Sequence, residues 1–559
     1  MKRLYCLFIL ILYLAISIPS YAQFTINGKN IIYDKQNDTY MACIPEDAFG
    51  KDYEAIILLD IASDWSDLSI DGTQIAYSYT FKQVEGNKLY SIHARKGNKE
   101  INTKITFTFL PLLVLQGSFG YDYAQGSMSL YSPDATEPTI SLIKAKWRGG
   151  TTNTADKHKR NYKIKPLNFK GKGQDISLLG MREDNNWILD AGQIDLFRLR
   201  NRIATEIWND FATKPYYASK EPKTKSGVAG KVVEVILNNE YRGIYSLTEA
   251  MDRKELKLKK YDDKNQEFHG HLWKVSSWDK AQFWEIDKDY DNTQETWHAF
   301  ETKYPDIEDV NPTDYSPLYE AIDFVVNSND ETFKKEVGDY FDIPVLIDYQ
   351  LFQETLKPVD NNGKNMYWGI YDVAESQKLT LAIWDLDASV GQDWHCSTPL
   401  HPDYVLPNTD LGVKDGFNLY HRLSSLNVDN YNGKVASRYQ ELRKTYFSEE
   451  NLISRYQGYY DMLVKSGAAS REECKWSKDS DIGGYPLNFK SEIEYIKNWI
   501  INRLNYLDTN QFPISTNISE IHQKESLSPK TTYNMLGQKV GASYQGLKIK
   551  NGKKFYTTK

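Results

Sequence analysis

The chain has 559 residues, enough for two to four domains. A hydrophobic content of 41% with 13% aromatic residues excludes a disordered protein, and a formal charge of −7 gives no support for a nucleic-acid partner. Four cysteines are too few and too scattered for a disulfide framework.

Met1 to Ala22, "MKRLYCLFILILYLAISIPSYA", has a short basic start (Lys2, Arg3), an apolar centre and a small-x-small end at Ser20 and Ala22. It reads as a secretory signal peptide cleaved before Gln23. The apolar centre is too short for a comfortable membrane span. Cleavage removes two positive charges, so the mature chain carries −7 − 2 = −9. No later apolar run reaches spanning length, so the expected mature protein has no transmembrane segment and is periplasmic, cell-surface or secreted. Cys43, Cys396 and Cys474 remain, leaving room for one bridge.

From residue 23 to 117 short alternating runs are broken by Asn-Gly, Asp-Gly and Glu-Gly turns, the pattern of a small β-sandwich. From 118 to 508 the pattern becomes mixed α and β, which makes the fold class α+β. "SLIKAKWRGG" and "RNYKIKPL" read as strands around a loop. "QIDLFRLRNRIATEIWNDFA" reads as a helix with Ile203, Ile207 and Phe211 on one face. "KVVEVILNNEYRGIYSLTEA" is a hairpin turning at Asn238-Asn239. Asp342 and Pro344 open a helix as N-cap and first-turn residue. The run "NFKSEIEYIKNWIINRLNYL" puts Phe489, Ile493, Ile496, Ile500 and Leu504 on one core face. Residues 509–530 are a polar linker, and 531–559 return to short β runs with an Asn551-Gly552 turn.

Three stretches carry candidate chemistry. In "KPVDNNGKNMYWGIYD", Asp360 and Asn365 sit five apart in a polar loop before an aromatic strand, and "LTLAIWDLD" follows as its hairpin partner. A turn centred near Glu375 sets Asn365 opposite Asp385, with Cβ atoms roughly 4.5–5.5 Å apart. That pairing suits one hard cation held by oxygen ligands, and a slip of one residue would undo it. An aspartate that takes a hydroxyl proton, an asparagine five residues on and a further aspartate are the parts phosphoryl transfer uses. Asp-Asn-Asn-Gly is equally a good turn sequence.

In "KWRGGTTNTADKHKRNYKIKPL" a glycine-threonine loop and Arg148, Lys157, Lys159, Lys163 and Lys165 offer a phosphate-binding strand and loop, without the Walker A spacing. Its plainer reading is a flexible hairpin tip. Glu249, ending "GIYSLTEAMD", suits either a partner for a phosphate-binding lysine or an ordinary surface carboxylate. His269 and His271 lack an evident third ligand. There is neither a Gly-x-Ser-x-Gly elbow nor a Cys-x-x-Cys pair.

In order along the chain, these segments resemble the CotH kinase family. The resemblance rests on "IKAKWRGGTTNTADKHKRNYKIKPL", on "LLGMREDNNWILDAGQIDLFRLRNRIATEI" with its Arg200-Asn201 pair, and on "VILNNEYRGIYSLTEAMD". The helix and loop "YFDIPVLIDYQLFQETLKPVDNNGKNMYWGIYD" and the motif "LTLAIWDLDASVG" complete it, covering roughly residues 140 to 470. The resemblance implies an atypical, bilobal protein-kinase-like domain preceded by the small all-β domain. It implies transfer of phosphate from ATP, with Mg²⁺ or Mn²⁺, to Ser or Thr of a protein substrate. Asp360 would be the base and Asp385 a metal ligand, assisted by Asn365 and Asp387. One of Arg148, Lys159 or Lys163 would bind the phosphates, with Glu249 its partner. The chain departs from the family in having Asn239 where relatives have Gly, and "GHLWKVSSWD" in place of a Glu-x-Asp after the hairpin. The tail "YNMLGQKVGASYQGLKIKNGKKFYTTK" is similar to sorting segments of type IX secretion. The alternative function is a non-catalytic kinase-like surface protein that binds proteins or polysaccharide, suggested by the N-terminal β domain and the abundance of Tyr and Trp.

Overall fold

The computed structural model describes residues 24–59, 66–394, 405–410 and 412–513, with short strands between 532 and 557. The leader, Cys396, most of the expected linker and the Asn551-Gly552 turn lie outside the described residues. The chain divides into two compact units, one running to Tyr506 and one from Leu507 onward.

The first unit opens with two β-sheets. One has four strands in the order Lys29–Asn30, Phe24–Ile26, Tyr53–Leu59 and Ser78–Phe81. The other has six, including Thr39–Cys43, Lys99–Thr108 and Tyr90–Lys96. Edge-to-face aromatic rings fill the space between them, with Phe81 4.8 Å from Phe107 and 4.9 Å from Tyr90.

A closed seven-stranded barrel follows. Its strands run around the ring as Leu112–Gln116, Ala124–Tyr131, Thr139–Arg148, Asn161–Leu167, Trp187–Asp190, Glu240–Glu249 and Gly230–Leu237. Leu112–Gln116 closes the ring by pairing in parallel with Gly230–Leu237. The barrel therefore begins six residues before the 118 boundary expected from the sequence, because "LLVLQ" contributes Leu113 and Leu115 to its core. Alternation along each strand sends Ile143, Ala145, Tyr162, Ile164, Trp187 and Leu189 inward. Their neighbours Lys144, Lys146, Arg148, Lys163 and Lys165 are left on the outer face. Asn238 and Asn239 sit at φ 51° and 61°, the left-handed pair that a two-residue hairpin requires.

Beside the barrel lies a five-stranded sheet in the order Thr296–Trp297, Phe300–Tyr304, His271–Val275, Met366–Asp372 and Ser376–Ile383. Its Leu272, Tyr367, Tyr371 and Ala382 pack with Trp384 against Ile188, Val228 and Ala250 of the barrel side. Helices back the sheet. Ile343–Leu356 is buried on every side from Val345 to Leu356, the mark of a central helix. In Phe489–Tyr506 the five apolar residues expected to form a core face are all buried.

Two local expectations change. The helix expected from Gln193 starts only at Arg200. Asp195 accepts the backbone N–H of Phe197 (2.8 Å) and Arg200 (2.7 Å), which holds the preceding residues in a turn. Asp342 does not cap its helix with its side chain. Its Oδ2 instead accepts the Tyr216 N–H (2.8 Å) and the Thr380 hydroxyl (3.2 Å). Among the described residues no helix is long and apolar enough to cross a membrane.

The second unit contains a four-stranded antiparallel sheet in which Gly546–Lys550 pairs with Lys553–Thr557.

Candidate active site

The cleft between the outer barrel face and the five-stranded sheet is lined by Arg148, Ile188, Asp190, Asn201, Trp384 and Asp385, among others. Asp190 ends a barrel strand, and Asn201 lies in the first turn of Arg200–Phe211. The Asn201 amide donates to Asp190 Oδ2 (2.8 Å), and its oxygen accepts the N–H of Leu386 (3.0 Å). One side chain thus fixes a barrel strand to the Asp385–Asp387 loop.

The hairpin that carries Asn365 and Asp385 has a register different from the one the sequence suggested. Met366 faces Ile383 and Tyr367 faces Ala382, a shift of one residue, so Asn365 is not opposite Asp385. The turn is centred at Ala374, with Asp372 facing Ser376, and an irregularity between Ile370 and Asp372 recovers only part of the offset. Both residues lie just past the paired strands in left-handed backbone, at φ 51° and 59°, which Asn and Asp tolerate. The Asn365 amide donates to Asp360 Oδ2 at 2.7 Å, and Lys364 Nζ lies 3.2 Å from the same oxygen. Asn361 clips the two strand exits together, its amide donating to the carbonyls of Asn365 (3.0 Å) and Trp384 (2.7 Å).

The electrostatics are those of crowded carboxylates. Burial pushes Asp387 well above the usual carboxylate range, and Asp385, Asp190, Asp195 and Asp360 push it the same way. Asp360 is raised by burial, with Lys364 opposing and Asp385 reinforcing. Asp190 is also raised, first by burial, and Asp385 adds to the effect. Oxygen-only ligands whose negative charges repel one another fit a hard divalent cation such as Mg²⁺. Asp385 and Asp387, with the Asn365 side chain beside Asp360, are the residues that would hold it.

Cations face this cluster from the barrel and the sheet. The Arg148 guanidinium lies 4.9 Å from the Trp384 ring. Lys163 pairs across the strands with Ile188 of the cleft wall. Burial lowers Lys163 to about 8, and Lys165 and Arg148 push in the same direction. Lys274, on His271–Val275, is lowered by burial and by Arg148, while Asp385 and Asp360 pull it back up.

Two candidates are engaged elsewhere. Lys159 is buried, with Nζ 2.7 Å from Glu472 Oε1 and 2.7 Å from the Ile244 carbonyl. Glu472 also takes Arg198 Nε at 2.7 Å, so this cation belongs to a buried ion cluster that ties helix Ala468–Trp476 to the barrel. Glu249 is buried too, and its oxygens accept the backbone N–H groups of Arg182 (2.9 Å) and Ala229 (3.2 Å) rather than a lysine.

Sequence reasoning assigned no role to Asp190, Asn201, Asn361 or Lys274. Lys274 left a trace, as a lone cation in the otherwise apolar strand "HLWKV". A second group that could ligate a metal, His158 with Asp479 and Asp481, is already bonded to itself and to backbone, His158 Nδ1 lying 2.9 Å from Asp479 Oδ2.

Residues 145–507 match the family model described as CotH kinase protein. No curated protein matches the chain. The matched span is well over half of the 559 residues and contains every cleft residue described above, so the chain belongs to the CotH kinase family.

Proposed function

We propose that the protein is an exported phosphotransferase that moves the γ-phosphate of ATP to a Ser or Thr hydroxyl of a secreted or surface protein. The observation that carries this reading is the convergence of Asp360, Asp385, Asp387 and Asp190 with Arg148 and Lys274 about one cleft. The leader-like Met1–Ala22 supports export. A Mg²⁺ or Mn²⁺ ion held by Asp385, Asp387 and Asn365 would neutralise charge on the phosphates.

Asp360 acts as base. Asn365 fixes one of its oxygens, and its raised affinity for a proton suits it to take the acceptor hydroxyl's proton. The acceptor oxygen bonds to the γ-phosphorus as the bridging β–γ bond breaks, the electron pair leaving with ADP. Arg148, Lys163 and Lys274 bind the phosphate oxygens and orient them towards the acceptor. Lys159 has no part in this, being held by Glu472.

The test is incubation of the purified protein with labelled ATP, Mg²⁺ or Mn²⁺ and Ser-containing acceptors. Asp360→Asn should lower transfer by about 10²–10⁴-fold, the usual worth of a general base, while the thermal shift given by ATP and metal is retained. Equal label from wild type and variant refutes the reading.

A further inference from the structure

The outer face of the barrel carries more cations than a triphosphate beside Arg148 needs. Lys146 lies directly opposite Lys163 on the neighbouring strand, and Lys144 opposite Lys165. The four therefore share one face with Arg148. Two residues per step along a strand carry this strip about 13 Å from Arg148 to Lys144.

The lysines are half-buried, and among the described residues none of the four makes an ion pair or donates a hydrogen bond. Three of them surround one ring. The ammonium groups of Lys144, Lys146 and Lys165 lie 5.0, 4.9 and 5.4 Å from the Tyr123 ring centroid. The Tyr123 hydroxyl is itself buried with no hydrogen-bond partner. Burial lowers Lys165, and the neighbouring Lys144 lowers it further. The acidic residues facing the strip, Asp306 and Glu308, act on Lys165 only through space. Half-buried, mutually repelling amines with no carboxylate in direct contact, only Asp306 and Glu308 at longer range, form a surface that suits an anion on a chain whose net charge is −7.

We infer that the strip of Lys144, Lys146 and Lys165 around Tyr123 docks an acidic segment of the acceptor protein, rich in Asp and Glu, and leads its hydroxyl residue to Asp360. Arg148, Lys163 and Lys274 lie at the cleft end and serve the nucleotide, while the other three lie beyond it. The inference rests on the phosphotransfer reading for what happens to the bound segment, but binding is measured without any transfer.

Fluorescence anisotropy of a labelled Ser-containing Asp/Glu peptide, with the full-length protein and no nucleotide, tests it. Wild type should bind this peptide in preference to its Asn/Gln and Lys/Arg counterparts, with affinity falling as salt rises. Lys144→Gln combined with Lys165→Gln should weaken binding roughly tenfold, on the scale of two lost charge contacts. The thermal shift with ATP and Mg²⁺ should be unchanged in that variant. Equal binding of the three peptides to wild type, or an unaffected double variant, overturns the proposal. So does displacement of the peptide by tripolyphosphate, which would assign the strip to the nucleotide. Should the variant fail to fold, the wild-type peptide preference and its salt dependence decide the question. Peptide binding without any phosphate transfer would uphold the docking surface and count against the phosphotransfer reading alone.

Discussion

Replacing Glu472 by Gln should destabilise the first unit by about 3–5 kcal/mol, the cost of breaking a buried ion pair from one side. Glu472 is fully buried and accepts three hydrogen bonds of 2.7 Å, from Lys159 Nζ, Arg198 Nε and the Ile244 N–H. Gln keeps the volume, so no cavity contributes. Its neutral oxygen can serve at most part of this set, and its amide hydrogens face other donors. Two of the three bonds are charge-assisted, worth about 1.5–3 kcal/mol each, which agrees with the range above. Lys159→Met in the Glu472→Gln background removes one orphaned cation and should recover part of the loss. The measurement is urea unfolding followed by the chain's tryptophan fluorescence, to which Trp476, on the same helix as Glu472 and donating to the Arg242 carbonyl at 2.9 Å, contributes. A Glu472→Gln loss below about 1 kcal/mol, the worth of a surface pair, refutes the reasoning, as does a double variant less stable than the single one.

Other outcomes follow from the cleft. In metal-free protein Asp387→Asn should raise the melting temperature and abolish the stabilisation given by Mg²⁺. The Asp387 carboxyl is raised on folding, so its unfavourable charge appears as pH rises through the folded value; the gap between variant and wild type should widen with pH and vanish in acid. For the same reason, metal-dependent nucleotide binding by wild type should weaken on acidification, as read by titration at several pH values. Lys274→Met should raise KM for ATP roughly ten- to hundredfold, matching one charge-assisted hydrogen bond of about 1.5–3 kcal/mol, while leaving the melting temperature unchanged within a few degrees. Asn201→Ala removes partners from both Asp190 and the Leu386 N–H and should cost about 2–4 kcal/mol, with a fall in kcat read alongside thermal unfolding.

Much of the architecture was legible because it is written in periodicity. Alternating strands, the Asn238-Asn239 turn and the core face of Phe489–Tyr506 each follow from residues close together in sequence. What escaped depends on partners far apart along the chain. Lys159 looked like a phosphate ligand in the basic loop before its strand, and only Glu472, more than 300 residues away, engages it otherwise. Glu249 was misjudged for the same reason, since its partners are backbone N–H groups that no side-chain pattern announces. The pairing of Asn365 with Asp385 failed because the turn is centred at Ala374 and the strand carries an irregularity beside it, neither of which periodicity marks. The residue types at the site were nevertheless visible in Asp360, Asn365, Asp385 and Asp387, and in the cations of the Arg148 strand.

The Asn201 clip has a mechanical consequence. It bonds the end of a barrel strand on one side and the backbone between two site aspartates on the other, so it acts as a pivot whose two arms cannot separate there. Exposed Gly149 and Gly150 begin the loop between Arg148 and Asn161, with Gly149 at φ 120°, where a side chain would be strained. While both bonds hold, the Asp190 carboxylate and the backbone leading to Asp387 stay tied through one side chain, whatever else shifts around them.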